Sequence, residues 1–300
     1  MRLLALAAAF PLAAAAQREP LKFEITWVNP PASPPAGVQH QVFLSKAMNR
    51  QVGFNIYLPP AYETSPAARF PVIYWLHGAG GHESQGVAQA ALLDSAIRSG
   101  AMPPVIMVMP NGGRRSEYRD WPEQNVLSET MIIRELIPHV DASYRTLPAP
   151  YGRAIEGMSM GGNGSLKLAL KYPEMFGSVL AIAGTYGRIR LDGYYYAGVA
   201  PEQQKWVANL AQWYSAEDDV FALAEKNYGR LGQLRIRLVI GTTDVSFPDS
   251  EKLHAHLRDL GVAHEYEVLL GVPHNTQAYY ERAGLHGFQF QAAGFARARR

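Results

Sequence analysis

The sequence predicts an α/β fold, a doubly wound and mostly parallel sheet with an antiparallel N-terminal start and a lid-like insertion, on three observations. Two β-type runs, QVFLSK from Gln41 and VGFNIYLPP from Val52, flank the polar turn at residues 47–51, as the strands of an antiparallel pair do. Beyond them, short apolar runs alternate with helical stretches, the pattern of parallel strands joined by crossover helices. The chain of 300 residues, 48% hydrophobic and 18% charged with 27 Gly and 21 Pro, is large enough to bury the core of one such domain and shows no internal repeat.

The strand candidates after the antiparallel start are residues 70–76, 104–109, 153–158, 178–183, 234–240 and 265–270. Helix candidates between them are 87–98, 128–142, 164–171, 250–260 and 276–283. In a doubly wound sheet, ligands bind beyond the carboxyl ends of the strands, so chemistry is expected in the loops after these runs. Residues 186–227 break the rhythm. They are long, aromatic and poorly periodic, and are read as an insertion over the site in which Tyr194, Tyr195, Tyr196, Trp206, Trp213 and Tyr214 either line an acyl or sugar pocket or pack the lid.

The first sixteen residues, MRLLALAAAFPLAAAA, run from one Arg through an apolar stretch to small residues, as a secretory signal does. The stretch falls short of the ~20 apolar residues a membrane span needs, and Pro11 interrupts it. Cleavage after Ala16 is expected, leaving an irregular Pro-rich segment at 17–39, a catalytic domain at 40–300, and a secreted or periplasmic protein. Loss of Arg2 takes the formal net charge from +2 to +1, a balance that offers nothing to nucleic acid or a membrane surface. The absence of cysteine excludes disulfides, thiolate nucleophiles and Cys-ligated zinc, and a core of this size does without staples.

The chemistry is carried by residues 153–163, R-A-I-E-G-M-S-M-G-G-N. An apolar strand runs into Gly157-Met158-Ser159-Met160-Gly161 and then a Gly-rich helix start, the G-x-S-x-G nucleophile elbow in its strand-turn-helix setting. The serine sits on a strained turn where a Cβ two residues to either side would clash, hence the two glycines. The helix that follows aims its N-terminal amides at the serine oxygen, where charge develops in acyl transfer. A serine hydroxyl is a weak nucleophile, so a base and a group to orient that base are required.

In α/β-hydrolases the acid and then the histidine follow the serine in the chain, on loops after later strands. His274 lies just past the run at 265–270, and Asp244 just past the run at 234–240. His254, His256 and His264 fall on a helix and its exit, His139 on another helix, His40 in the N-terminal segment and His286 beyond a helix. Asp244 is preferred to Asp249, at a helix start, and to Asp218 and Asp219, which precede the strand. The oxyanion hole needs two N–H donors. Met160 is expected to supply one; Ala79, with Gly78 as the alternative, supplies the other from Y-W-L-H-G-A-G-G at 74–81. A turn rich in glycine for tightness alone is the competing reading, with His77 and His82 behind the site or exposed.

With these motifs, PVIYWLHGAGG at Pro71, PNGGRRSEYRDW at Pro110, ELIPHVDASYR at Glu135 and RAIEGMSMGGNGSLKLAL at Arg153, the chain resembles the family of esterase D-like, feruloyl and acetylxylan esterases and mycobacterial mycolyltransferases. The likeness runs from about residue 50 to about 275. It implies an α/β-hydrolase fold, a metal-free Ser-His-Asp mechanism and no organic cofactor. Asn275 and Thr276 depart from the H-x-W-x-x-W pattern of many relatives, which leaves the packing around the base and the substrate class open.

The resulting expectation is a serine carboxyl-ester hydrolase working through an acyl-enzyme, on a small-molecule or carbohydrate ester such as a feruloyl or acetyl ester. The alternatives are an acyltransferase, in which a sugar hydroxyl replaces water, and an inactive binding module that keeps the fold.

Overall fold

The computed structural model describes residues 25–186 and 217–296. An antiparallel pair, β1 (Val38–Ser45) and β2 (Arg50–Tyr57), opens the chain with Val38 opposite Tyr57 and Ser45 opposite Arg50. The short helix α1 (Ala61–Thr64) leads to β3 (Val72–Leu76), α2 (Val87–Arg98) and β4 (Ile106–Pro110). A two-stranded ribbon, β5 (Asp120–Trp121) and β6 (Val126–Leu127), comes next. The helical segment after it runs as α3 (Ser128–Thr130), a π-helical stretch (Met131–Leu136) and α4 (Ile137–Ser143). Then follow β7 (Arg153–Met158), α5 (Met160–Lys171), β8 (Ser178–Ile182), α6 (Val220–Asn227), β9 (Arg235–Gly241), α7 (Phe247–Asp259), β10 (Glu265–Leu269) and α8 (Thr276–Ala296).

Eight strands form one sheet in the order β1-β2-β4-β3-β7-β8-β9-β10. Every pairing from β4 to β10 is parallel, and β2 joins β4 antiparallel. The inner strands β3, β4 and β8 are buried at every position, because helices cover both faces. Alternation sorts their side chains between two cores: Val72, Tyr74 and Leu76 pack with α4 to α7 on one face, Ile73 and Trp75 with α2 and α8 on the other.

Several boundaries differ from the sequence-based expectation. The N-terminal segment ends two residues early, since β1 starts at Val38 and places His40 on a strand. The turn after it is shorter, because β2 already begins at Arg50. Helix α5 starts at Met160 rather than 164 and α7 at Phe247 rather than 250. The largest difference is α8, which continues past 283 to Ala296 and so carries His286 inside a helix. Its glycines argue for a break, but a Cβ at Gly287 would come within 2.7 Å of Leu180, and Phe288 and Phe295 are buried. Tertiary packing outweighs their cost of about 1 kcal/mol each. Within the expected insertion, Tyr186 is buried and 220–227 is helical; the six aromatics from Tyr194 to Tyr214, and the signal at 1–16, lie outside the described residues.

A buried polar cluster joins the second face to β7, the strand that leads to Ser159. Tyr280 on α8 accepts the Trp75 indole N–H at 2.8 Å and donates to Glu156 at 2.9 Å. Burial pushes the Glu156 carboxyl up from 4.5 to about 7. A carboxyl whose folded value is raised binds its proton more tightly when folded, so its contribution is lost as pH rises from about 4.5 to about 7. Glu156→Gln removes that loss. In urea titrations its stability relative to wild type is expected to improve between pH 5 and pH 8 by up to about 3 kcal/mol. His77, pushed down to about 4 by burial, acts in the opposite sense but equally in both proteins. Parallel stability curves for the two proteins would overturn this reading of Glu156.

Candidate active site

Ser159 is the pivot between β7 and α5. Its φ of +60° and ψ of −121° lie outside the regions an L-residue favours, a strain of about 1–3 kcal/mol that the surroundings hold in place. The Ser159 N–H donates to the Ile182 carbonyl at 2.9 Å, and its carbonyl accepts the Asn163 N–H at 2.9 Å. A Cβ on Gly157 would meet the Gly161 carbonyl at 2.5 Å, and one on Gly161 would lie 2.0 Å from the Leu76 carbonyl oxygen. Both positions therefore admit only glycine, as the pentapeptide implies.

Strands β9 and β10 are parallel neighbours, with Gly241 opposite Leu269, so the loops that follow emerge side by side. Asp244 comes three residues after β9, and His274 five after β10. The His274 Nε2 lies 2.8 Å from Ser159 Oγ, and its Nδ1 lies 2.9 and 2.8 Å from the two Asp244 oxygens. A carboxylate only accepts, so Nδ1 carries the proton and Nε2 is left to accept the serine hydroxyl. The Asp244 side chain is fully buried while the His274 side chain is 30% exposed, and Ser159 is partly exposed. The chain of bonds thus begins at solvent and ends in the interior. It can move a proton from Ser159 to His274 while Asp244 stabilises the imidazolium.

The oxyanion candidates are arranged around this serine. Met160 opens α5, so its N–H has no partner within the helix. In the turn after β3, the Gly80 N–H donates to Arg114 O and the Gly81 N–H to Gly78 O, which leaves Gly78 and Ala79 as the residues of this turn available for a substrate oxygen. Ala79 is exposed, and a Cβ on Gly78 would lie 3.6 Å from Ser159 Cβ. His77, at the base of the turn, is buried; its Nδ1–H donates to Gly78 O at 2.9 Å and its Nε2 accepts the Gly112 N–H at 3.1 Å. It holds the turn as a neutral ring. The Tyr118 hydroxyl donates to His77 O at 2.9 Å, and Lys167 on α5 donates to Glu117 O and Tyr118 O. The 110–121 segment so ties the turn to the helix that follows Ser159.

The competing residues are engaged elsewhere. Asp249 lies in the first turn of α7, 3.7 Å from Lys252, and Asp218 pairs with buried Lys167 and with Arg119. Asp219 caps α6, and His286 faces Glu267 at 3.8 Å. His254 and His264 contact each other, and His256 packs on Phe221. Among the described residues, no group of three or more His, Asp or Glu is placed to hold a metal ion. Tyr279, which sequence reasoning did not single out, donates to Asp244 at 2.8 Å. No local signal marks it, since the contact joins residues 35 apart.

Comparison with solved structures shows the fold to be that of the α/β-hydrolases. A ferulic acid esterase superposes with a TM-score of 0.73 at 22% identity, over 86% of this chain and 98% of that one. The S-formylglutathione hydrolase of Staphylococcus aureus gives 0.70 at 17% identity, over 85% and 98%. The chain belongs to the esterase family, whose model, described as "Putative esterase", matches residues 45–298. An esterase of Mycobacterium tuberculosis is 36% identical over 152 residues, 47% of this chain and 31% of that protein. The endo-1,4-beta-xylanase/feruloyl esterase of Xylanibacter ruminicola is 31% identical over 159 residues, 50% of this chain and 22% of that protein. The match thus spans less than a third of the length of either relative.

Proposed function

We propose that the chain is a serine carboxyl-ester hydrolase with Ser159 as nucleophile, His274 as general base and Asp244 as its partner, a catalytic triad. The observation that carries this reading is the unbroken hydrogen-bonded chain Ser159–His274–Asp244 at the nucleophile elbow. His274 takes the hydroxyl proton as Ser159 attacks the ester carbonyl, and the N–H groups of Met160 and Ala79 receive the oxyanion. His274 then protonates the leaving alcohol, and water repeats the sequence to release the acid. Each oxyanion donor contributes about 3 kcal/mol to the transition state.

Feruloyl or acetyl esters of carbohydrates are the proposed substrates, supported by family membership and by the feruloyl esterase among the relatives. Export to the periplasm or the medium is proposed on the composition of residues 1–16 alone; none of the described helices is long and apolar enough to cross a membrane. A panel of acetyl, butyryl and feruloyl esters, run beside a fluorophosphonate probe, tests the reading. Turnover of at least one ester and labelling at Ser159 are expected. A correctly folded protein that neither turns over esters nor takes the probe would be a binding module instead.

A further inference from the structure

Tyr279 stands in the first turn of α8, five residues after His274, with only 1% of its surface exposed. Its hydroxyl oxygen lies 2.7 Å from the Gly241 N and 2.8 Å from Asp244 Oδ2. The direction of both bonds follows from counting protons. The Gly241 N–H can only donate, so the hydroxyl accepts there, and its single proton goes to the carboxylate. Burial and the charge of Asp244 hold that hydroxyl protonated, far above the usual tyrosine range.

Asp244 is consequently gripped from two sides. Oδ1 accepts the Ser246 N–H at 2.7 Å and Oδ2 accepts Tyr279, while the imidazole N–H approaches both oxygens. The grip also involves the strand end, because a Cβ on Gly241 would come within 1.9 Å of the Val272 carbonyl oxygen, two residues before His274. Among the described residues, the titratable groups facing Asp244 are His274, Tyr279 and the buried Tyr186, and Ser159 faces the far side of the imidazole.

We infer that Tyr279 is a positioning residue that orients the Asp244 carboxylate and limits how strongly it holds the proton on His274. The inference rests on the proposed triad and goes beyond it. A carboxylate that gives part of its charge to a phenol hydrogen bond attracts an imidazolium less. Without that bond the carboxylate is held only by the Ser246 N–H and the imidazole, and the imidazole keeps its proton to higher pH, unable to act as a base until the proton is lost.

The test is the pH dependence of ester hydrolysis in the wild type, Tyr279→Phe and Tyr280→Phe. Tyr280→Phe removes a buried hydroxyl one position along the same helix, but one bonded to Trp75 and Glu156 rather than to Asp244. For Tyr279→Phe, kcat is expected to fall about tenfold with KM within about twofold, and the rising acid limb to move up by about half a pH unit. Fluorotyrosine at position 279, a stronger donor, shifts the limb the other way and keeps the question answerable if the Phe variant does not fold. An unmoved limb in both position-279 proteins, or an equal shift in Tyr280→Phe, overturns the inference while fluorophosphonate labelling of Ser159 still upholds the triad. A wild type with neither labelling nor a rising limb overturns both.

Discussion

Ser159→Ala is expected to lower ester hydrolysis by about 10⁶-fold with the fold intact, the loss typical of removing a triad nucleophile. The substitution deletes one oxygen from a partly exposed position and leaves the strained backbone of the elbow to a residue with the same Cβ. Met160 and the turn at 78–81 remain, so residual turnover reflects binding and oxyanion stabilisation alone. Retention of more than about a thousandth of the wild-type rate, far above that loss, would remove Ser159 from the role. Ser128 and Ser165 serve as controls. Their hydroxyls donate to the Gly112 and Gly162 carbonyls at 2.7 and 3.0 Å, so alanine there is expected to reduce stability with little change in rate.

The second large effect is expected at Asp244. In Asp244→Asn the two oxygens that accept Ser246 N–H, Tyr279 O–H and the imidazole N–H become one oxygen and one NH₂. The amide must meet at least one donor head-on, or turn its NH₂ to the imidazole and force the proton onto Nε2. With the proton there, His274 has no lone pair for Ser159, and a loss of about 10⁴-fold in kcat follows, as in the best-studied serine triad. Asp249→Asn and Asp218→Asn are expected to change the rate far less. Asp249 faces Lys252, and the role of Asp218 is to neutralise buried Lys167, which shows in stability rather than turnover. If either variant lost more activity than Asp244→Asn at equal folded fraction, the acid would have to be reassigned.

Much of the fold was legible because its signals are short-range. The strands β3, β7 and β8 announce themselves as apolar runs ended by turn residues, and burial on both faces is what permits such runs. The two helix starts that differ have local causes. At Met160 the helix begins on Gly161 and Gly162, residues of weak helix preference, and packing decides where the first turn forms; at Phe247 the first turn contains Pro248, whose missing N–H costs nothing there and whose fixed φ suits a helix start. The π-helical stretch at Met131–Leu136 left no trace in the apolar periodicity; Pro138 lies just beyond it and has no N–H to bond the Arg134 carbonyl.

What the sequence by itself determined is the glycine-flanked turn at Ser159 and the order of the candidate site residues along the chain. A strained turn tolerates only glycine at 157 and 161, so the pattern around Ser159 is local and visible, and so is the placement of Asp244 and His274 after strands. Only the tertiary structure decided which acid meets His274, because that choice depends on β9 and β10 being parallel neighbours and on the distance from each loop to Nδ1. It alone also supplied the supports: Tyr118 under the turn at His77, and Tyr279 against Asp244, join residues 41 and 35 apart in the chain. A hydrogen bond is set by positions within about 3 Å, and no periodicity or spacing in a sequence carries that information across a sheet.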